Sequence, residues 1–292
     1  MISQLFANSV IAAAAYTLVG LGFAMIYWSA RFFNFAHAVT YTLAAYVAYA
    51  LMTALHFPLA AAAPVAVTAA AAFGAMTEYL VFKRLRRRTA SPLGLLLASL
   101  GIMVAVQNIV SLTFGDDTKS IRKTALNRVF VLGEAHFTTI QVWTVGAAIV
   151  ITILLWLILH RTKAGRTLRA VANDPELSRI VGIDSDKVMF WTFAGSSAIA
   201  GIASLLVGLD TDLSPTMGLR ILLMAVTAVI IGGEGRIQAV AVGAALVGAA
   251  QHLGVIVLGT QWQDAIVFVL LIAFLLIRPT GVMGRPLRKA AV

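Results

Sequence analysis

The sequence has no cysteine among its 292 residues. Disulfides, thiol nucleophiles and cysteine-ligated metals are excluded. Charge is scarce as well. Asp, Glu, Lys and Arg make up 12% of the chain, about half the share of a soluble domain. They are absent from residues 32–77, 89–115, 135–160, 188–209 and 237–263. No GxxxxGK[ST] loop occurs, which excludes the usual cradle for ATP phosphates. No carboxylate pair, histidine cluster with metal spacing or Ser–His–Asp order stands out, so an enzyme has little support. No acidic residue lies deep in an apolar run, although proton or sodium coupling usually needs one. A self-sufficient secondary transporter or channel is therefore the weaker transport reading.

What is present is apolar. Hydrophobic residues make up 60% of the chain and the mean hydropathy is +0.92. Uncharged runs of roughly 18 or more residues read as membrane-spanning helices. A β-barrel would alternate in segments of about ten, whereas these runs are continuous in Ala, Leu, Val and Ile. The expected fold is all-α and polytopic, a single integral membrane domain over residues 1–292. Helices are expected over Ser3 to Trp28, Ala38 to Leu55, Pro58 to Phe82, Pro92 to Phe114, Thr138 to His160, Val188 to Leu209, Gly218 to Gly232, Gln238 to Leu258 and Trp262 to Ile277. Gly115 to His136 reads as a polar loop. The N-terminus lacks a basic n-region and a small-residue cleavage site, so it is expected to remain as the first helix.

The net charge is +10. No basic patch is interleaved with aromatics in the nucleic-acid manner. Lys and Arg instead mark cytoplasmic loops. The clusters at 83–88, 161–169 and 285–289 should therefore share one side. That requires an even number of crossings between them, which holds if 218–232 and 238–258 cross separately. Eight to nine crossings follow, with the N-terminus outside and the C-terminus inside. Lys119, Arg122, Lys123 and Arg128 then lie outside, an exception that the length of their loop permits.

The longest polar interior stretch that remains is Arg161 to Lys187. Two short helices are legible in it, the first over about Lys163 to Ala172. Asp174 is a good N-cap for the second, with Pro175 at its first position and Glu176 in its first turn. Leu177, Ile180 and Val181 fall on one face, and Gly182 closes the helix. Two readings stand: a solvated loop with interfacial helices, or a rigid docking element for a cytoplasmic motor. The caps favour rigidity.

Other polar groups interrupt the apolar runs. Asn34 and His37, bounded by Phe35 and Ala36, read either as a cap on the second helix with His37 at the interface, or as a helix break lining a pathway. Glu78 is expected to pair with Lys83 or Arg84 at the interface rather than to serve as a proton relay. Gln107-Asn108 and Gln251-His252 read as interhelical hydrogen-bonding pairs, with pathway lining as the alternative. Gly232-Gly233-Glu234-Gly235 is a helix break whose glycines allow close packing.

Three stretches carry a resemblance: MIYWSARFFNFAHAVTYTLAAYVAY (25–49), GRTLRAVANDPELSRIVGIDSDKVMFWTFAGSSAIAGIASLLVG (165–208) and IRPTGVMGRP (277–286). They resemble the membrane subunits of branched-chain amino acid ABC transporters, in particular the smaller, LivH-type permease. The resemblance implies a permease subunit of an ATP-driven importer in the bacterial inner membrane, which would make the N-terminus periplasmic and the C-terminus cytoplasmic. Its partners would be a second homologous permease, two cytoplasmic ATP-binding subunits and a periplasmic substrate-binding protein, within membrane lipid. ATP and magnesium would sit on the partner subunits and no cofactor on this chain. It implies coupling to the ATPase through Gly165, Arg166, Arg169, Ala170, Asp174, Gly182 and Ile183. It places Asn34, Phe35, Ala36, His37, Gly232, Gly233 and Glu234 along the translocation pathway. Ala38 stands where the family has glycine, and Glu234-Gly235-Arg236 replaces its small-residue pattern. Family relatives also carry urea, short amides and aromatic acids.

Overall fold

A computed structural model describes residues 2–121, 129–132, 135–233 and 235–284. The topology-bearing Arg122, Lys123, Arg128 and the basic tail at 285–289 lie outside the described residues. The chain is helical almost throughout, as its composition requires. The helices are α1 (Ile2–Ala30), α2 (Ala36–Thr53), α3 (Leu59–Thr77), α4 (Lys83–Arg87), α5 (Pro92–Phe114), α6 (Thr139–Arg161), α7 (Lys163–Asn173), α8 (Pro175–Ile180), α9 (Ser185–Asp210), α10 (Met217–Gly232), α11 (Ile237–Leu253), α12 (Val255–Leu258) and α13 (Gln263–Ile277). A π turn, Glu78–Phe82, joins α3 to α4.

Helix α1 is the axis. It packs against α6, α9, α10 and α11, and 72% of its most apolar window is buried, against 22% for α5 and α6. A helix buried over most of its surface needs no amphipathic face. Small residues let these backbones approach. A methyl group on Gly243 of α11 would lie 1.9 Å from the Ala228 carbonyl oxygen of α10. One end of α1 meets the segment after residue 128, where Gln4 donates to the His136 carbonyl at 3.0 Å. The other end meets α7, where Arg31 donates to the Ala172 carbonyl at 2.8 Å. The molecule thus has an α7–α8 end and an opposite end.

Among the described residues, six helices are long and apolar enough to cross a membrane, or seven if α10 and α11 form one broken span. The expected eight to nine add α2 and count α10 and α11 apart. Helix α2 has 18 residues but carries His37, Thr40, Tyr41, Thr42 and Tyr46, all buried. Protein rather than lipid surrounds it, so it tolerates these groups. Helices α10 and α11 have 16 and 17 residues, about 24–26 Å each at 1.5 Å per residue. They meet at a bend of 117°.

Three local expectations are corrected. The helix expected over 238–258 stops at Leu253, and α12 follows separately. Gly254 abuts α13, where a methyl group would lie 2.7 Å from Ile266 Cδ1. The polar loop 115–136 holds a strand, β1 (Val129–Leu132), paired antiparallel with β2 (Ala135–Thr138). Its alternation is too short to stand out in the sequence. Glu78 pairs with Arg86 rather than Lys83 or Arg84, with Arg86 Nη1 donating to Oε2 at 3.1 Å. One α turn plus one wider π turn takes up about eight residues, which returns Arg86 to the face of Glu78.

Candidate functional site

The two short helices at 161–187 are built as their caps dictate. Thr162 caps α7 by accepting from Gly165 N at 3.1 Å. Gly165 also lets α7 fold against the end of α6, since a methyl group there would lie 2.2 Å from the Ile158 carbonyl oxygen. Asp174 Oδ1 accepts from Glu176 N and Leu177 N, both at 2.9 Å. Gly182 ends α8 with φ +83, donating to the Arg179 carbonyl at 3.0 Å while Ile183 N reaches Ser178 O at 2.9 Å. Ser185 donates its hydroxyl proton to the Pro175 carbonyl at 3.0 Å. A six-residue helix is unstable alone, and here it is tied at both ends.

The tied helix turns its apolar side outward. Leu177, Ile180 and Val181 are 57%, 81% and 67% exposed. Arg166, Arg169 and Asp174 are exposed around it, and Ala170 and Ile183 are half-buried. The structure therefore brings the seven residues of the family loop into one α7–α8 hairpin. A hub missed in the sequence anchors it. Asp186 lies 3.5 Å from Lys83 Nζ, 3.0 Å from Arg87 Nη2 and 3.6 Å from Arg179 Nη2. It joins α4, α8 and the start of α9. The basic run 83–88 was its one sequence signal.

The break at 31–35 is built differently from a loose loop. Asn34 Oδ1 accepts from Ala36 N at 3.1 Å, a turn bond just ahead of α2, whose own N-cap residue, Phe35, makes no side-chain cap bond. Ser99 of α5 stitches the turn, accepting from Phe35 N at 3.0 Å and donating to Phe33 O at 3.3 Å. Asn34, Ala36 and His37 are buried. His37 lies inside the helix packing rather than at an interface: a methyl group on Gly22 of α1 would meet its Nε2 at 2.9 Å. Gly232 and Gly233 are packing glycines. A methyl group on Gly232 would lie 1.9 Å from the Ala239 carbonyl oxygen. Gly233, with φ +103, abuts Thr280 and Gly284, and Val282 N and Met283 N donate to the Ile231 and Gly232 carbonyls at 2.8 and 2.9 Å. The PTG motif thus closes the end of α10. Glu234 lies outside the described residues. Among the described residues, no group of three or more His, Cys, Asp or Glu could hold a metal.

Known proteins share this architecture and sequence. Residues 5–275 match the family described as branched-chain amino acid transport system / permease component. The high-affinity branched-chain amino acid transport system permease protein BraD of Pseudomonas aeruginosa is 33% identical over 97% of this chain and 96% of its own length. LivH of Escherichia coli K12, with the same description, is 30% identical over 98% of this chain and 96% of its own. Among solved structures, PsaBC from Streptococcus pneumoniae in complex with Fab has the same fold, with a TM-score of 0.53, 14% identity and coverage of 96% and 97%. A helical, multi-pass chain with this match along nearly its whole length belongs to the permease-component family of branched-chain amino acid transport systems.

Proposed function

We propose that the chain is the membrane subunit of an ATP-driven importer of branched-chain amino acids. The observation that carries this is α8: a capped helix presenting Leu177, Ile180 and Val181 to solvent. Single exposed apolar residues are ordinary, but three on one fixed turn form a binding face. The face receives the work of a cytoplasmic ATPase, because the chain has no phosphate loop of its own. The relatives are named as permeases of branched-chain amino acid transport systems, which supports the substrate class. ATP and magnesium sit on two ATP-binding subunits. A second permease completes the membrane part, and a periplasmic protein delivers the solute.

The α7–α8 end is then cytoplasmic, and α1 starts on the periplasmic side. The segment after α13 lies against Gly233, and Met283 borders the same cavity as Arg169 and Ala172 of α7, which supports a cytoplasmic position for the end of α13. The test is an assembled transporter in proteoliposomes. Ile180→Asp should abolish the ATPase stimulation caused by loaded binding protein, while membrane insertion is retained. Unchanged stimulation would refute docking through α8.

A further inference from the structure

The end opposite α7–α8 contains a cavity of about 640 Å³, within the size range of small-molecule sites. Its lining is divided in character. Ile11 and Ala15 of α1, Val207 of α9, and Ile221 and Met224 of α10 form an aliphatic wall. Asp210 and Arg220 bring opposite charges to the same cavity from the two sides of the α9–α10 connection.

Each charge is held by its own frame. Asp210 Oδ1 accepts from the Thr138 hydroxyl at 3.2 Å, and Oδ2 accepts from Gln141 Nε2 at 3.1 Å. A carboxylate has about four acceptor positions, so capacity remains. Arg220 donates from Nε and Nη2 to Asp264 at 3.0 and 3.1 Å. A guanidinium has five N–H donors in a fixed fork, which leaves its outer edge for a ligand. Asp264 is oriented in turn by Gln251 Nε2 at 3.2 Å, and Gln251 Oε1 accepts from Tyr16 at 2.5 Å. Helices α1, α10, α11 and α13 thus converge to fix one guanidinium, while β2 and α6 fix one carboxylate.

We propose that this cavity is a zwitterion site, in which Arg220 takes the carboxylate of an α-amino acid, Asp210 takes its ammonium, and the wall takes its aliphatic side chain. The solute class rests on the importer reading above, whereas the site and its charges rest on this geometry. Two framed charges of opposite sign distinguish an amino acid from a simple amine, a simple acid or a neutral sugar. An analogue lacking one charge loses the charge-assisted hydrogen bonds to Arg220 or to Asp210, the stronger kind of hydrogen bond, and so competes less well than the amino acid.

The test uses the assembled transporter in nanodiscs without binding protein, titrated with radiolabelled leucine from micromolar to millimolar. Binding should saturate and be displaced by unlabelled leucine, but not by 3-methylbutylamine or 4-methylpentanoate at equal concentration. Arg220→Gln should weaken leucine binding by at least about tenfold, the scale of one charge-assisted hydrogen-bonded contact, and bring the amine level with leucine as competitor. Asp210→Asn should do the same for the acid. Asp264→Asn keeps the guanidinium but loosens its frame, so it should weaken binding by less than Arg220→Gln. The site is overturned if the intact complex binds no leucine while loaded binding protein still stimulates its ATPase in an Ile180-dependent way. It is also overturned if both charge variants bind leucine and its analogues as wild type does. Loss of that stimulation in the wild-type complex would sink the importer reading instead, and the proposed solute with it.

Discussion

Replacing Asp174 with alanine should loosen α8 without unfolding the protein. The carboxylate accepts two backbone N–H bonds at 2.9 Å, from Glu176 and Leu177. Loss of an N-cap costs about 0.5–2 kcal/mol, typically near 1. Six residues supply too few internal bonds to absorb that loss, so the population of the ordered turn should fall by about fivefold per kcal/mol. The side chains of Leu177, Ile180 and Val181 stay in place chemically and lose only their fixed direction. Hydrogen exchange over residues 176–182 should speed up by about that factor, while exchange in α9 beyond Met189 stays unchanged. In reconstituted transporter, ATPase stimulation by loaded binding protein should drop in parallel. Asp174→Asn and Asp174→Ser should restore both, because Asn and Ser cap as well as Asp does. Wild-type exchange rates in the alanine variant would refute this role for the cap. Slow exchange in the Asn variant with stimulation as low as in Ala would refute it too, since the charge and not the cap would then be the functional group.

Removing one partner of the buried Glu78–Arg86 pair should be worse than removing both. Glu78→Ala leaves a half-buried guanidinium uncompensated, at a cost below the about 3–5 kcal/mol of a fully buried pair because water reaches Arg86, whereas Glu78→Leu with Arg86→Leu should recover most of the thermal stability in detergent. Asp186→Asn weakens contacts with three cations at once. It should uncouple α8 from α4, seen as a several-fold lower ratio of transport to ATP hydrolysis with normal assembly. Gly243→Leu would force a side chain against the Ala228 carbonyl oxygen. Overpacking of this kind costs about 1–3 kcal/mol or more, so size-exclusion chromatography should report loss of monodisperse protein, whereas Gly195→Ala, with open space around it, should be silent.

The features legible in the sequence were those encoded within a few residues. Asp174-Pro175 and Gly182 mark both ends of α8 because caps are local chemistry. The long helices were legible because hydrocarbon demands uninterrupted apolar length. The sequence offers Asn34 as a cap for α2, yet Phe35 takes that position and Asn34 bonds within the preceding turn; the burial of His37 against Gly22 joins two helices and leaves no trace in spacing. The zwitterion cavity was not legible. Arg220 sits in an otherwise apolar run, and its frame draws on Tyr16, Gln251 and Asp264, far apart in the chain. The π turn at 78–82 likewise has no compositional mark and becomes apparent only through the Glu78–Arg86 pairing.

A photo-crosslinking amino acid placed at Ile180 reports whether α8 meets an ATP-binding subunit. Leu112, 86% exposed on α5, serves as the control on an apolar helix flank. In membranes that hold the whole transporter, docking through α8 requires a covalent adduct between position 180 and an ATP-binding subunit, and none from position 112. Absence of that adduct in every nucleotide state, in a variant that still imports its solute, would contradict the assignment of α8 as the docking helix.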